Sequence, residues 1–287
     1  MPVALTYPGA RWTPLGAETE TRMTSHDVIC AHTMVGYLVS TDRYFRISNG
    51  AGFRGTESHF GVGGKWGPDL GGGLDGAVWQ WQDLAYGADA NLDGKWRVIS
   101  FETADNAPDS AADIQAWTPA QQDAIVDLCD WLCSPEAHAK CPSSWKCHQS
   151  GIPRVLIPDS KPGRRGLGYH AQGAVERVVG GEVWSTSPGK TCPAARRIAQ
   201  FKTIIAPRVA ARGRGEEDDM AGYSLADDEA GKAWLRALTG AGGGTTPVSV
   251  TQQSYNLLHA ELADVKAELA EIKAELAQPA PEPTPEA

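Results

Sequence analysis

A chain of 287 residues with 41% hydrophobic content and ten tryptophans is long enough for one large domain plus an appendage, and it has the apolar side chains for a substantial core. Its formal charge of −9 is uneven: from Gly215 onward fourteen acidic residues stand against four basic ones, leaving 22 basic and 21 acidic residues in 1–214. Even its basic end, Arg196 to Arg214, lacks the charge density of a nucleic-acid-binding stripe, and no stretch approaches membrane-spanning length, so neither nucleic acid nor membrane is an expected partner.

Met1 to Gly16 holds no apolar run of signal-peptide type, and the six cysteines follow no disulfide-framework spacing; together these predict a cytosolic chain. Asp27 to Ala31 is a short apolar run that predicts a buried strand ending at His32-Thr33. A histidine at the end of such a strand points into whatever cleft the sheet edge forms, although alone it is more often a satisfied structural histidine than a ligand. Glu57 to Gly63 alternates like a strand, Leu74-Asp75-Gly76 supplies a turn, and Ala77 to Gln82 and Arg97 to Phe101 read as strands, the last running into Glu102.

Thr118 and Gln121 form a capping box with Pro119 at the first helical position, and the helix they open carries Ile125, Leu128, Cys129 and Leu132 on one face. Cys129 and Cys133, four apart there, read as core. Strands interleaved with helices predict an α/β domain with a mixed central β-sheet flanked by helices.

Ser134 to Gly168 is a long loop rich in Pro, Gly, Lys and Arg, of the kind that borders a cleft. Cys141, Cys147 and His148 in it give a weak metal signal, because five residues between the cysteines is not the spacing of a zinc knuckle; a local disulfide is the other option. The loop leads to Leu167-Gly168-Tyr169-His170, and Ala171 to Ser187 leads on to Lys190 and Cys192. Pro193 suits a first helical position, and Ala194, Ile198, Phe201 and Ile205 recur at helical spacing. This places Cys192 at or next to an N-cap, where the helix dipole favours thiolate.

The tail changes character twice. Residues 213–250 read as an acidic, then glycine-rich linker with a short helix around Ala233 to Arg236. Residues 251–278 carry Tyr255, Leu258, Leu262, Val265, Leu269, Ile272 and Leu276 at coiled-coil spacing, and residues 279–287 belong to a disordered Pro/Glu run. With Leu262, Leu269 and Leu276 at a and Leu258, Val265 and Ile272 at d, the seam favours a homo-oligomer, trimer or tetramer, through 255–276, with a lone solvated helix as the alternative. Glu261, Glu268 and Glu275 at g and Lys266 and Lys273 at e are placed for pairing between chains, since no Glu–Lys pair lies three or four apart within the helix.

His32, His170 and Cys192 offer two nitrogens and one sulfur, and three protein ligands with an open fourth position is the pattern of catalytic zinc. Glu102 is then a candidate general base or transition-state stabiliser, and Lys190 a source of positive charge for an oxyanion. Glu57-Ser58-His59-Phe60, Val98 to Asp105, Gly168-Tyr169-His170 and Lys190-Thr191-Cys192-Pro193, in this order, resemble the zinc-dependent N-acetylmuramoyl-L-alanine amidases of the peptidoglycan-recognition-protein type, above all endolysins of phages that infect actinobacteria. The resemblance runs from about Thr24 to Arg208, so the catalytic domain is placed at 1–212. It implies the family's mixed-sheet fold, Zn2+ held by His32, His170 and Cys192, and catalytic roles for Glu102 and Lys190. The implied reaction is hydrolysis of the amide between N-acetylmuramic acid and L-alanine in bacterial peptidoglycan, by an enzyme kept in the host cytoplasm until a holin-type protein releases it.

Three departures accompany the resemblance. The first motif reads Cys30-Ala31-His32-Thr33 where the family usually has His-His-Thr. Ser58 precedes His59 where many members have a tyrosine, which makes Ser58 and His59 candidate substrate contacts. The stretch between His170 and Cys192 is longer than in many relatives, implying an inserted loop around Trp184 over the active site. The alternatives are a non-catalytic peptidoglycan-binding module and a stem-peptide metallopeptidase.

Overall fold

A computed structural model describes residues 5–15, 22–47, 57–108, 111–187 and 189–214, all within the first of two units, Met1–Tyr223, into which the chain divides. The predicted linker beyond Arg214, the seam at 255–276 and the Pro/Glu tail lie outside the described residues. Six strands make one sheet: β1 (Arg11–Trp12), β2 (Val28–Ala31), β3 (Phe60–Val62), β4 (Val78–Gln80), β5 (Val98–Thr103) and β6 (Gly166–Tyr169), in the order β1-β4-β3-β5-β2-β6. Every neighbouring pair is parallel except β3 with β4, so the sheet is mixed and the domain is α/β, as expected.

Parallel strands are covered on both faces, and their sequences show it. All four residues of β2 are buried; Ile29 and Ala31 join one core while Val28 and Cys30 join another. The alternation expected for Glu57 to Gly63 is not reflected in burial: all of it is buried, because β3 is an interior strand between β4 and β5.

The larger core lies between the sheet and α3 (Pro119–Cys133), packed by Ile29, Phe60, Ile99 and Phe101 from the strands and by Ile125, Leu128, Cys129 and Leu132 from the helix. The capping box forms as predicted: Gln121 N donates to Thr118 Oγ1 at 3.0 Å and Thr118 N to Gln121 Oε1 at 3.1 Å. Cys129 and Cys133 are core thiols. On the other face Leu38 and Phe45 of α1 (Leu38–Ile47), which contacts the short α2 (Gly67–Gly71), meet Trp79 and Trp81. Residues 134–165 contain a helical turn, Pro135–His138, and the short α4 (Lys146–Ser150), so the predicted long loop is partly structured.

The chain closes with α5 (Ala195–Gln200), a π-helical stretch (Phe201–Ile205) and α6 (Ala206–Gly213), which packs on α3. Pro207 has no N–H for the carbonyl of Thr203, and the wider turn just before it absorbs that missing bond. Among the described residues, no helix is long and apolar enough to cross a membrane.

Candidate metal centre

The register of the sheet places the first site. Ala31 pairs with Phe101 on β5 and with Tyr169 on β6, all three strands running the same way. Their next residues are His32, Glu102 and His170, which therefore emerge side by side at the carboxyl edge, where open α/β sheets form ligand crevices. The turn before α5 brings Cys192 to the same point, where its Sγ accepts a hydrogen bond from Thr33 N at 3.3 Å.

His32, His170 and Cys192 present ligand atoms that all lie within 4.8 Å of one another, and the two imidazole rings are 4.2 Å apart between centroids. Hydrogen bonds set which nitrogen of each ring is free. His170 Nε2 lies 2.9 Å from the carbonyl of Trp184, which can only accept, so the proton is on Nε2 and Nδ1 carries the lone pair; that Nδ1 is buried without a partner. Asn91 donates from Nδ2 to Cys30 Sγ, so its Oδ1 faces His32 Nε2 at 3.2 Å as an acceptor, leaving His32 Nδ1 free on the side of Glu102, 3.7 Å from Oε1.

Burial governs the electrostatics. It pushes His32 well below the usual histidine range and His170 down to about 4, with His170 and Lys190 respectively adding repulsion, so both rings are neutral and ligand-competent near pH 7. Burial also raises Glu102 to about 8, against the pull of Lys190 and of a 3.4 Å hydrogen bond from Ser58 Oγ. Glu102 Oε2 is a further buried atom without a partner.

Cys192 corrects one expectation. It does not cap a helix: α5 begins at Ala195, after a cis Cys192-Pro193 bond and Ala194 at φ +88°. Removed from the dipole and desolvated, its thiol is pushed up to about 12, with Glu102 adding to the shift and Lys190 opposing it. Two neutral imidazoles, a thiol and a carboxyl whose burial disfavours charge are a set that a cation would satisfy. The donor types and the orphaned His170 Nδ1 fit a metal ion.

The cleft at this edge holds about 240 Å³ and is lined by His32, Glu102, His170, Lys190 and Cys192, with Ser185 to Ser187 along one wall. A groove of about 440 Å³ shares Thr33 and Glu102 with it and continues past Met34, Gly36 and Tyr44. The three predicted substrate contacts fare differently. Ser58 is fully buried and reaches Glu102 rather than the cleft. His59 is a satisfied structural histidine: Ser100 N donates to its Nδ1 at 3.1 Å, and its Nε2 lies 3.0 Å from the carbonyl of Tyr86. Trp184 is among the residues that line the cleft, as the first of the run that continues through Ser187, but it does not present its ring there. Its ring is fully buried between Gly94 and Gly173, where an added Cβ would sit 2.5 and 2.3 Å from it, and its carbonyl orients His170.

Several supporting residues carry no motif of their own. Arg197 is wholly buried beneath the site; its guanidinium donates to Gln115 O at 2.8 Å, Thr103 Oγ1 at 2.7 Å, Ala104 O at 2.9 Å and Thr33 Oγ1 at 3.1 Å. Thr33 Oγ1 in turn donates to Asp105 Oδ2 at 2.5 Å. This network fixes Thr33, and through its N–H the sulfur of Cys192. Thr33 and Asp105 belong to stretches already singled out; Asn91 and Arg197 had no sequence signal beyond their polarity.

Among the described residues two His/Cys groups have metal-binding spacing, the second being His26, His138, Cys141 and Cys147. Comparison with protein-family models, with curated proteins and with solved structures returned no match.

Proposed function

We propose that the chain is a zinc-dependent N-acetylmuramoyl-L-alanine amidase of the peptidoglycan-recognition-protein type, a phage endolysin that cleaves the amide between N-acetylmuramic acid and L-alanine. The observation that supports this most is the meeting of His32, His170 and Cys192 beside Glu102, with three donors around one point and a solvent-connected cleft on the open side. Zinc held there would polarise the scissile carbonyl and lower the pKa of a water to roughly 7.

The chain's own residues supply the rest. Asn91 and the Trp184 carbonyl hold both histidines in the tautomer that keeps Nδ1 free. Glu102, beside the ligand atoms and with its Oε2 unpartnered, is placed to take up and return a proton. Lys190, on the wall of the same cleft, supplies positive charge for the oxyanion that develops on the attacked carbonyl. The adjoining groove, with exposed Tyr44 and Val35 at its edge, has room for a glycan-peptide strand. Storage in the host cytoplasm until holin-type release, and a trimer or tetramer formed through 255–276, belong to the same reading.

Digestion of purified cell walls with fragment mass spectrometry tests it. The expected products are intact glycan and peptides that begin at L-alanine, and both Cys192→Ser and His170→Ala should abolish their release. Hydrolysis that survives these substitutions, cuts placed within the stem peptide, or binding without release would each overturn the proposal.

A further inference from the structure

At the opposite end of β2 from His32, a second set of ligand-type side chains meets. His26 stands two residues before the strand, so a run of six residues, or about 20 Å at strand rise, separates it from His32. His138 ends the turn that follows α3, Cys141 comes three residues later, and Cys147 lies in α4. All four are buried, Cys141 at 6% exposure and the others at 0%. Their donor atoms lie within 4.8 Å of one another.

The hydrogen bonds around the two histidines are informative. His26 Nε2 lies 2.7 Å from the carbonyl of Leu84, and His138 Nε2 lies 2.7 Å from the carbonyl of Leu132. A carbonyl only accepts, so each Nε2 carries a proton, and a ring that carries only that one turns the lone pair of Nδ1 inward. These two Nδ1 atoms are 2.9 Å apart, and Cys141 Sγ is 3.5 Å from that of His26. Two lone pairs at that distance in a dry site repel unless a positive species lies between them. A shared proton would answer for the nitrogens and leave two inward-facing sulfurs unexplained. A tetrahedral ion would serve all four.

The dimensions are close. Metal–nitrogen bonds of about 2.0–2.1 Å and metal–sulfur bonds of about 2.3 Å place tetrahedral nitrogens about 3.3 Å apart and a nitrogen and a sulfur about 3.6 Å apart. The 3.5 Å from Cys141 Sγ to His26 Nδ1 matches, and the two nitrogens, at 2.9 Å, would part by about 0.4 Å to admit the ion. Both sulfurs belong to free cysteines, so the pair is not tied up as a disulfide. Carbonyl acceptors on the far side of each imidazole are the usual second contact of a metal-ligating histidine. Two thiolates with a divalent ion and two neutral rings make an uncharged group, the cheapest to bury. Trp145 packs edge-on to His26, with centroids 5.2 Å apart, and closes one side. The sequence pointed to His148 as the partner of the cysteines; instead its Nδ1 lies 3.2 Å from the carbonyl of His138, one step outside the group.

We propose that His26, His138, Cys141 and Cys147 form a closed, structural zinc site that pins residues 134–150 to the foot of β2. A donor set of two thiolates and two imidazoles selects zinc, and four protein ligands leave no position for substrate.

The test uses the full chain carrying His170→Ala and Cys192→Ser, which removes the other group and leaves this one untouched. After dialysis, elemental analysis should still find one zinc per chain, and zinc-edge X-ray absorption should fit two sulfurs and two nitrogens. Cys141→Ser with Cys147→Ser in the otherwise native chain should lose one equivalent; if that protein does not fold, the first variant decides alone. No zinc in the first variant, a zinc shell without sulfur, or a Cys141–Cys147 disulfide by non-reducing mass analysis would overturn the site. A native chain with a single zinc in a two-sulfur shell would support it while removing the amidase centre, so the two proposals fail separately.

Discussion

Arg197→Met is the sharpest probe of how the candidate centre is held together. The substitution keeps an unbranched side chain of similar length and removes a buried guanidinium that makes five hydrogen bonds of 2.7–3.2 Å to Gln115, Thr103, Ala104 and Thr33. It takes the guanidinium away from Asp105, which is fully buried and joined to the arginine through Thr33. Breaking a buried charged network by removing one member costs about 3–5 kcal/mol. In a domain of this size each kcal/mol lowers the melting temperature by about 2–4 °C, so the expected loss is about 6–20 °C. Thr33 would also lose one of the bonds that aim its N–H at Cys192 Sγ. By analogy with other second contacts of metal ligands, zinc affinity should weaken about 10–100-fold. Thermal unfolding followed by circular dichroism and chelator competition measure the two effects. A melting temperature within about 2 °C of the native protein would refute the assigned role of the network.

Three further outcomes follow from the geometry. Glu102→Gln keeps the shape of the side chain and removes its ability to carry a proton, so the proposed wall hydrolysis should fall about 10²–10⁴-fold with metal content unchanged; unchanged turnover would exclude Glu102 from proton transfer. His59 is held by burial from its ordinary 6.5 down to about 3, so the unfolded chain binds the extra proton. Its contribution to stability is complete above about pH 6.5 and is lost as pH falls toward 3, at up to about 1.4 kcal/mol per pH unit, and a His59→Gln chain should show a flatter acid limb in urea titrations. Gly173→Ala would put a methyl 2.3 Å from Trp184 Cγ, and since such overpacking costs about 1–3 kcal/mol, the melting temperature should fall and tryptophan fluorescence should shift; no change in either would show that Trp184 is not locked as described.

The fold was largely legible because its signals are local. The capping box at Thr118 and the apolar run before His32 rest on short-range patterns, and both elements form where those patterns place them. Cys192 was misread because proline and a helical apolar pattern are compatible with several starts, and only Ala194 at φ +88° moves the start to Ala195. His59 and Ser58 drew attention through their motif, yet burial decides what a side chain can touch, and burial of a strand between two others is a property of the sheet. Asn91 and Arg197 were invisible for the same reason. A buried arginine looks like any surface arginine until the partners that satisfy it are brought together from distant segments.

The two His/Cys groups differ for a reason that lies in the sheet itself. Both are anchored by residues flanking β2, a four-residue strand held between β5 and β6. At its carboxyl end β2 stops in register with β6 while β5 runs on to Thr103, so His32 and His170 leave the sheet beside Glu102, and a cleft remains at that edge. At its amino end the turn after α3 and the helix α4 fold over His26, supply His138, Cys141 and Cys147, and bury all four. The first arrangement leaves one side open and a glutamate beside it, which is what chemistry on a bound substrate needs. The second closes on itself, which suits only a structural role.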